Sequence, residues 1–388
     1  MGIPDVQSLR PGLVQARRVV VKVGSAVLAS EGRVDARAVA RIAASLATAH
    51  AGTRGKEQGA GREVVLVTSG AVASGWSGLG LDAPPATIVD KQASAAIGQP
   101  RLMALYAASL DAAGVRSAQV LLTSDDLRER ARFLNARRTL LRLLEAGVVP
   151  IINENDSVVF DEIRVGDNDR LSALVADAIG ADLLVILTSV EGVHDGDRVI
   201  DRIDEPRGAM GHVRAEKTLA GTGGMATKLE AAALGSESGA HVVIASGRIE
   251  GTLSRVLAGE EVGTWIPARR TGAARKRWIA AATRAGGVLV IDEGAARALR
   301  ERGASLLPKG VVDVRGSFDA GESVDIAGPG GERIARGLAI YSDRDCRAIM
   351  GKRSDEIAGV LGYAYDECVV HRDDMVVEMR GGANGGAA

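Results

Sequence analysis

Between Arg17 and about Ala268, short apolar runs alternate with longer amphipathic, Ala-rich segments. The runs are Val19–Val21, Val64–Val67, Ala118–Leu122, Val148–Ile152, Leu183–Leu187 and His241–Ile244. Each is short and apolar without strict alternation, which is how a strand buried on both faces reads. The stretches between most of them, Ala36–Ala51, Val89–Ala113, Asp126–Ala146, Arg170–Gly180 and Thr227–Gly239, read as helices. This alternation predicts an α/β unit built on a mostly parallel sheet.

The texture changes near Arg269. The segment Arg269–Trp278 is basic, lacks an apolar run and reads as a linker or surface arm. Beyond it come a short strand at Gly286–Asp292, a helix at Glu293–Arg302, short Gly- and Pro-punctuated strands at Gly310–Val314, Ser323–Ala327 and Ile334–Tyr341, and a helix near Asp343–Gly351. The expected division is a flexible tail over 1–16, the α/β domain over 17–268, a linker over 269–284, a small mixed β domain over 285–377 and a disordered Gly/Ala-rich tail over 378–388.

Each predicted strand of the first unit ends in small or polar residues: Gly24-Ser25, Thr68-Ser69-Gly70, Thr123-Ser124, Asn153-Glu154-Asn155-Asp156, Thr188-Ser189 and Ala245-Ser246-Gly247. Ligands of open α/β sheets bind outside the carboxyl ends of the strands, so these ends would line one crevice. Within the first run Lys22 is conspicuous, because a charge inside a buried strand needs a partner unless its stem snorkels out. Paired with Gly24 and Ser25, its ammonium suits a transferring phosphate. Four polar residues directly after Ile152 likewise need partners. Asp156 suits a substrate ammonium, and the neighbouring Asn side chains suit carboxylate or carbonyl oxygens.

Two further signals bracket a helix each. Gly166-Asp167-Asn168-Asp169 offers carboxylates and an amide, which suit a metal ion, an ammonium-bearing substrate, or simply a helix N-cap. Gly221-Thr222-Gly223-Gly224-Met225-Ala226-Thr227-Lys228 offers backbone N–H groups, hydroxyls and one ammonium at a helix start, a set that holds phosphate. It lacks the residue order of a Walker A loop. A phosphate cradle beside an acidic loop points to phosphoryl transfer from a nucleotide.

Composition narrows the classes. The 48 Lys and Arg against 49 Asp and Glu argue against a protein that coats nucleic acid. Cys346 and Cys368 are too few for a disulfide framework and have no metal-ligand company, and the five histidines are scattered. No stretch approaches the roughly 18–20 apolar residues of a membrane span, and the N-terminus does not read as a signal peptide. A reducing cytosol, and so a cytoplasmic location, fits.

The motifs Lys22–Ser25, Val67–Ala71, Phe133–Arg137, Ile152–Asp156, Val165–Asp169 and Gly221–Lys228, in this order and spacing, resemble the amino acid kinase family in its glutamate-phosphorylating branch. The tail domain, with Leu306–Gly310 and Leu361–Tyr363, looks like a PUA domain. The resemblance implies a three-layer α/β sandwich and ATP-dependent phosphorylation of the L-glutamate γ-carboxylate to L-glutamyl 5-phosphate, the first step of proline biosynthesis. It implies that Lys22, Lys228 and Asp169 act in catalysis, Asp169 by orienting the two lysines. Ser69, Asp156 and Asn168 would bind glutamate, and Lys22, Thr188, Ser189, Thr222, Gly223, Gly224, Met225, Ala226, Thr227 and Lys228 the nucleotide. Mg²⁺ would arrive with ATP, held by phosphate and water rather than by protein ligands. A homo-oligomer (dimer or tetramer) and a transient contact with glutamyl-phosphate reductase are further implications. Ser189 and Arg164 depart from the Asp and Lys common at those places, with consequences for nucleotide and glutamate affinity. Few aromatic residues of the tail domain offer base stacking, which disfavours RNA binding.

Overall fold

Val19, Val20, Val21 and Val23 have no exposed surface, because the strand that carries them lies in the middle of a sheet covered on both sides. The computed structural model describes residues 10, 12–30, 32–51, 61–158, 167–209, 224–269 and 285–378. The chain divides into two compact units, Met1–Thr271 and Gly272–Ala388. The expected linker over 269–284 and the tail over 378–388 lie, but for Arg269 and Glu378, outside the described residues.

The strands of the first unit are β1 (Arg18–Val23), β2 (Ala29–Ser30), β3 (Arg33–Val34), β4 (Glu63–Thr68), β5 (Arg116–Leu122), β6 (Val148–Glu154), β7 (Leu183–Thr188), β8 (His194–Asp195), β9 (Arg198–Val199), β10 (His241–Ser246) and β11 (Thr264–Ile266). Its helices are α1 (Ser25–Leu28), α2 (Ala36–Ala51), α3 (Ala71–Gly75), α4 (Ile88–Ala112), α5 (Arg130–Glu145), α6 (Asp167–Ile179), α7 (Pro206–Ala209), α8 (Met225–Ser238) and α9 (Thr252–Leu257). Seven strands form one sheet in the order β11-β10-β7-β1-β4-β6-β5, parallel except for β11.

The two-residue period of the strands sorts the core into two layers. Val19, Val21, Val64 and Leu66 pack with Ile42 and Leu46 of α2, Leu102 and Tyr106 of α4 and Leu253 of α9. Val20, Val65 and Val67 pack with Leu140 of α5, Leu171 and Val175 of α6 and Leu229 of α8. The unit is therefore a three-layer sandwich. Lys22, two residues after Val20, shares the face that α6 and α8 cover.

Two expectations need correction. The run Ala118–Leu122 is not buried on both faces: β5 is the sheet's edge strand, and its Leu121 is 36% exposed. Nor does a flexible tail reach residue 16. Leu13 and Ala16 are buried, and the buried Arg10 guanidinium donates to the carbonyls of Asp201, Val262 and Gly263.

The second unit holds β12 (Gly287–Ile291), α10 (Glu293–Arg302), β13 (Val311–Gly316), β14 (Ser323–Ala327), β15 (Arg333–Leu338), α11 (Asp343–Ile349), α12 (Ile357–Leu361) and β16 (Met375–Val377). Its sheet runs β13-β12-β14-β15-β16, with only β12 and β14 parallel. Leu289, Ile291, Ile326 and Ile334 pack there with Leu299 of α10 and Ile349 of α11. No disulfide joins the buried Cys346 and Cys368, and burial pushes the Cys346 thiol up to about 12. Tyr363 and Tyr365 are exposed as a tilted ring pair, more aromatic surface than the sequence suggested.

Candidate active site

Lys22 does not snorkel. It sits between Val67 of β4 and Ile186 of β7 in register, and 4% of it is exposed. A buried ammonium needs a countercharge, and Asp169, in the first turn of α6, supplies it. Asp169 has no exposed surface. Its Oδ1 lies 2.5 Å from Lys22 Nζ, and its Oδ2 lies 3.2 Å from the buried Lys228 Nζ on the first turn of α8. Thr227 Oγ1 donates to the same Oδ2 at 3.0 Å. Burial works against ionisation of Asp169, but the two ammonium groups outweigh it and hold the carboxyl below the usual carboxylate range. Burial lowers Lys22 from its ordinary value, Asp169 opposes that and Lys228 adds to it.

Two ammonium groups around one carboxylate leave a net positive charge in a nearly dry site. The start of α8 adds to it: Gly224, the N-cap of this 14-residue helix, is in extended conformation, and among the described residues no side-chain capping bond closes the helix start. Positive charge and free N–H groups at a helix N-terminus bind phosphate. Gly24, after β1, donates its N–H to Leu187 O, and a Cβ built on it would stand 3.4 Å from Lys22 Nζ. Backbone can thus approach the lysine closely here. Thr188 ends β7 beside this region, with its carbonyl bonded to Gly247 N.

Asn168, the residue before Asp169, faces another set of groups. Its Nδ2 donates to Ser69 Oγ and to Asn153 Oδ1, both at 3.1 Å. Asn153 Nδ2 in turn donates to Gln99 Oε1 of α4 at 2.7 Å. Four side chains from four different segments, Ser69, Asn168, Asn153 and Gln99, therefore form one polar chain at the ends of β4 and β6. Asp156 opens a short 3-10 turn two residues past β6. The first turn of α6 is the joint between the two groups: Asn168 reaches the amide chain and Asp169 the lysines. At the far end of α6, the buried Arg137 donates Nε to Ala178 O, a cation at the helix's negative pole.

Of the residues expected from the sequence, Lys22, Asp169, Thr227 and Lys228 come together at one end, and Ser69 and Asn168 at the other. Thr222 and Gly223, with Gly221, Gly166 and Arg164, lie outside the described residues, as does the side chain of Asp167. Sequence reasoning missed Gln99. Its signal was a Gly98-Gln99-Pro100 sequence inside a helix, where Gly and Pro are both costly and so ask for a reason. Among the described residues, no group of three or more His, Cys, Asp and Glu side chains is arranged to hold a metal ion. No helix among them is long and apolar enough to cross a membrane.

A buried, positively charged end suited to phosphate, joined by one helix start to an amide-lined end on a mostly parallel sheet, is the arrangement of a small-molecule kinase. The family model that describes the amino acid kinase family matches residues 17–246, and the chain belongs to that family. A PUA domain model matches residues 287–361. The chain is 46% identical over 377 residues to a glutamate 5-kinase of Thermus thermophilus, covering 95% of this chain and 99% of that protein. It is 47% identical over 381 residues to the glutamate 5-kinase of Pseudomonas entomophila, covering 95% and 100%. The corresponding protein of Syntrophotalea carbinolica is 44% identical over 381 residues, covering 94% and 98%.

Proposed function

We propose that this chain transfers the γ-phosphoryl group of ATP to the γ-carboxylate of L-glutamate, giving L-glutamyl 5-phosphate, the first step of proline biosynthesis. The observation that carries this reading is the pair Asn168 and Asp169, adjacent on one helix start, the first bonded to Ser69 and the second to Lys22 and Lys228. Ser69, Asn168 and Asp156 bind glutamate. Lys22, Lys228 and the start of α8, with the segment 222–224 before it, bind the nucleotide phosphates, and Thr188 and Ser189 lie against the rest of the nucleotide.

A carboxylate needs no deprotonation before it attacks phosphorus. The reaction therefore asks for alignment and for neutralisation of charge as it moves onto the leaving oxygen of ADP. Lys22 and Lys228 supply that charge, and Asp169 fixes both ammonium groups so that little reorganisation is needed during transfer. Mg²⁺ enters as part of the nucleotide substrate. Both oxygens of Asp169 already face ammonium groups, so that carboxylate is not offered to a metal. The acyl phosphate product is labile in water, which favours its direct passage to the reductase that consumes it. Homo-oligomeric assembly and a cytoplasmic location complete the reading.

ADP release, coupled to NADH oxidation, is measured with L-glutamate, N-acetyl-L-glutamate, L-aspartate, carbamate and UMP as acceptors. Turnover is expected with L-glutamate. Turnover with N-acetyl-L-glutamate and none with L-glutamate would overturn the assignment, because an acylated nitrogen cannot be the ammonium that this reading gives to Asp156 and Asn168.

A further inference from the structure

The amide chain Gln99–Asn153–Asn168–Ser69 has a direction, and one backbone group sets it. The N–H of Glu154, which can only donate, lies 2.9 Å from one terminal atom of the Asn153 carboxamide. That atom is therefore Oδ1, and the other is Nδ2. Asn153 Nδ2 must donate, so the Gln99 atom 2.7 Å away is Oε1. Asn153 Oδ1 must accept, so the Asn168 atom 3.1 Å away is Nδ2. Asn168 Nδ2 also donates to Ser69 Oγ, which leaves the Ser69 hydroxyl hydrogen free to point elsewhere.

Among the described residues, two ends of this chain remain without a partner. Gln99 Nε2, on a residue 8% exposed, has no hydrogen-bond acceptor there, and the buried Asn168 Oδ1 has no donor. Buried polar atoms are seldom left so. One is a donor and the other an acceptor, and a single Asn153 carboxamide separates the two side chains. A ligand that completes both carries an anionic acceptor next to a cationic donor, as the α-carboxylate and α-ammonium of an amino acid do.

Backbone packing brings Gln99 to this place. A Cβ on Gly75 of α3 would stand 1.8 Å from Ser94 O and 2.5 Å from Gly98 N, and one on Gly98 would stand 1.8 Å from Ala71 O. The backbones of α3 and α4 are thus in direct contact, at the residue before Gln99 and next to the Ser69-Gly70 turn. A glutamine within a helix that carries Gly98 and Pro100 on either side is held there by tertiary contact rather than by helix preference.

We propose that Gln99 is a specificity-determining residue: its Nε2 donates to the α-carboxylate of the amino-acid substrate, while its Oε1 locks the Asn153–Asn168 pair so that Asn168 Oδ1 meets the ammonium. This rests on the acceptor being an amino acid, as proposed above. The test pairs two ligands with three proteins. 4-Aminobutyrate is L-glutamate without its α-carboxylate, and its inhibition constant against L-glutamate is compared with the L-glutamate KM in the full chain, in Gln99→Glu and in Gln99→Met. Gln99→Glu keeps the acceptor for Asn153 and replaces the donor by a repelling oxygen. Gln99→Met removes both and guards against misfolding of the first variant, with the KM for ATP and the melting temperature as controls.

The glutamate KM should rise roughly 10- to 100-fold in Gln99→Glu, the loss of one hydrogen bond to a charged group, with the KM for ATP unchanged. The 4-aminobutyrate constant should change by less than about threefold, so the ratio of the 4-aminobutyrate constant to the glutamate KM falls at least about threefold. Parallel weakening of both ligands, or no change in either, overturns the proposal, since a merely structural glutamine would not distinguish them. If the parent protein fails to turn over L-glutamate, it is the functional reading that has failed. If it turns over L-glutamate and the ratio holds, Gln99 alone has been misassigned.

Discussion

Asp169→Asn isolates the charge that holds the two lysines. The change keeps the shape of the side chain and removes the countercharge from ammonium groups 2.5 and 3.2 Å away, all three residues being buried. Removing one partner of a buried ion pair costs about 3–5 kcal/mol, a large part of the ~5–15 kcal/mol by which folded proteins are stable. For a unit of this size about 2–4 °C is lost per kcal/mol, so the melting temperature should fall by roughly 6–20 °C. In the proposed function MgATP brings negative charge to the same lysines. Saturating MgATP should therefore raise the melting temperature of the variant by more than it raises that of the parent. Without Asp169, burial and the Lys228 charge act on Lys22 unopposed and lower it further. The kcat of Asp169→Asn should accordingly recover as pH is lowered, where Lys22 regains its proton, over a lower pH range than in the parent. Scanning calorimetry with and without MgATP, and kcat from pH 6 to 9, measure both effects. A melting temperature within about 2 °C of the parent, with no added gain from MgATP, would refute the view that Asp169 compensates the lysine pair.

Three other outcomes follow from the same geometry. Lys228→Ala should lower kcat by more than it raises the glutamate KM, whereas Asp156→Ala should act mainly on the glutamate KM, and the reverse split in steady-state kinetics would mean that the two ends have been exchanged. Gly98→Ala puts a Cβ 1.8 Å from Ala71 O and should destabilise the first unit by about 1–3 kcal/mol or more while weakening glutamate; an unchanged urea midpoint would contradict the tight helix contact. His241 Nδ1 accepts from Ala268 N at 3.1 Å, and burial, against Asp182, holds the imidazole below its ordinary value. The unfolded chain therefore takes up the proton first as pH falls below about 6.5, and stability drops over that window. His241→Asn, which keeps an acceptor without the titration, should lose less stability between pH 7.5 and 5.5; equal losses would exclude His241 as the group responsible.

Local pattern served well where an element's identity depends on its own residues. The helices over Ala36–Ala51 and Glu293–Arg302 and the strand over Ser323–Ala327 stand where the sequence places them. Lys22 was legible because a charge between valines on a buried strand must be satisfied. Other features are set by distant contacts. The apolar run Ala118–Leu122 says strand, but nothing within it says that the strand lies at the sheet's edge. Arg10 looks like a surface residue until the carbonyls of Asp201, Val262 and Gly263 are seen around it. Gln99 gains its meaning only when α3 and α4 touch through Gly75 and Gly98, a contact between residues 23 apart in the chain. The pairing of Asp169 with both lysines was expected from family resemblance, since spacing in the sequence brings none of the three together.

The central claim is that the two ends joined by α6 pass a phosphoryl group to the side-chain carboxylate of free glutamate. Trapping the acyl phosphate tests it most directly. Incubation with L-glutamate, MgATP and hydroxylamine should yield γ-glutamyl hydroxamate in step with ADP, and neither should form in Asp169→Asn at the rate of the parent. ADP release without hydroxamate, or hydroxamate formed from N-acetyl-L-glutamate but not from L-glutamate, would contradict the account.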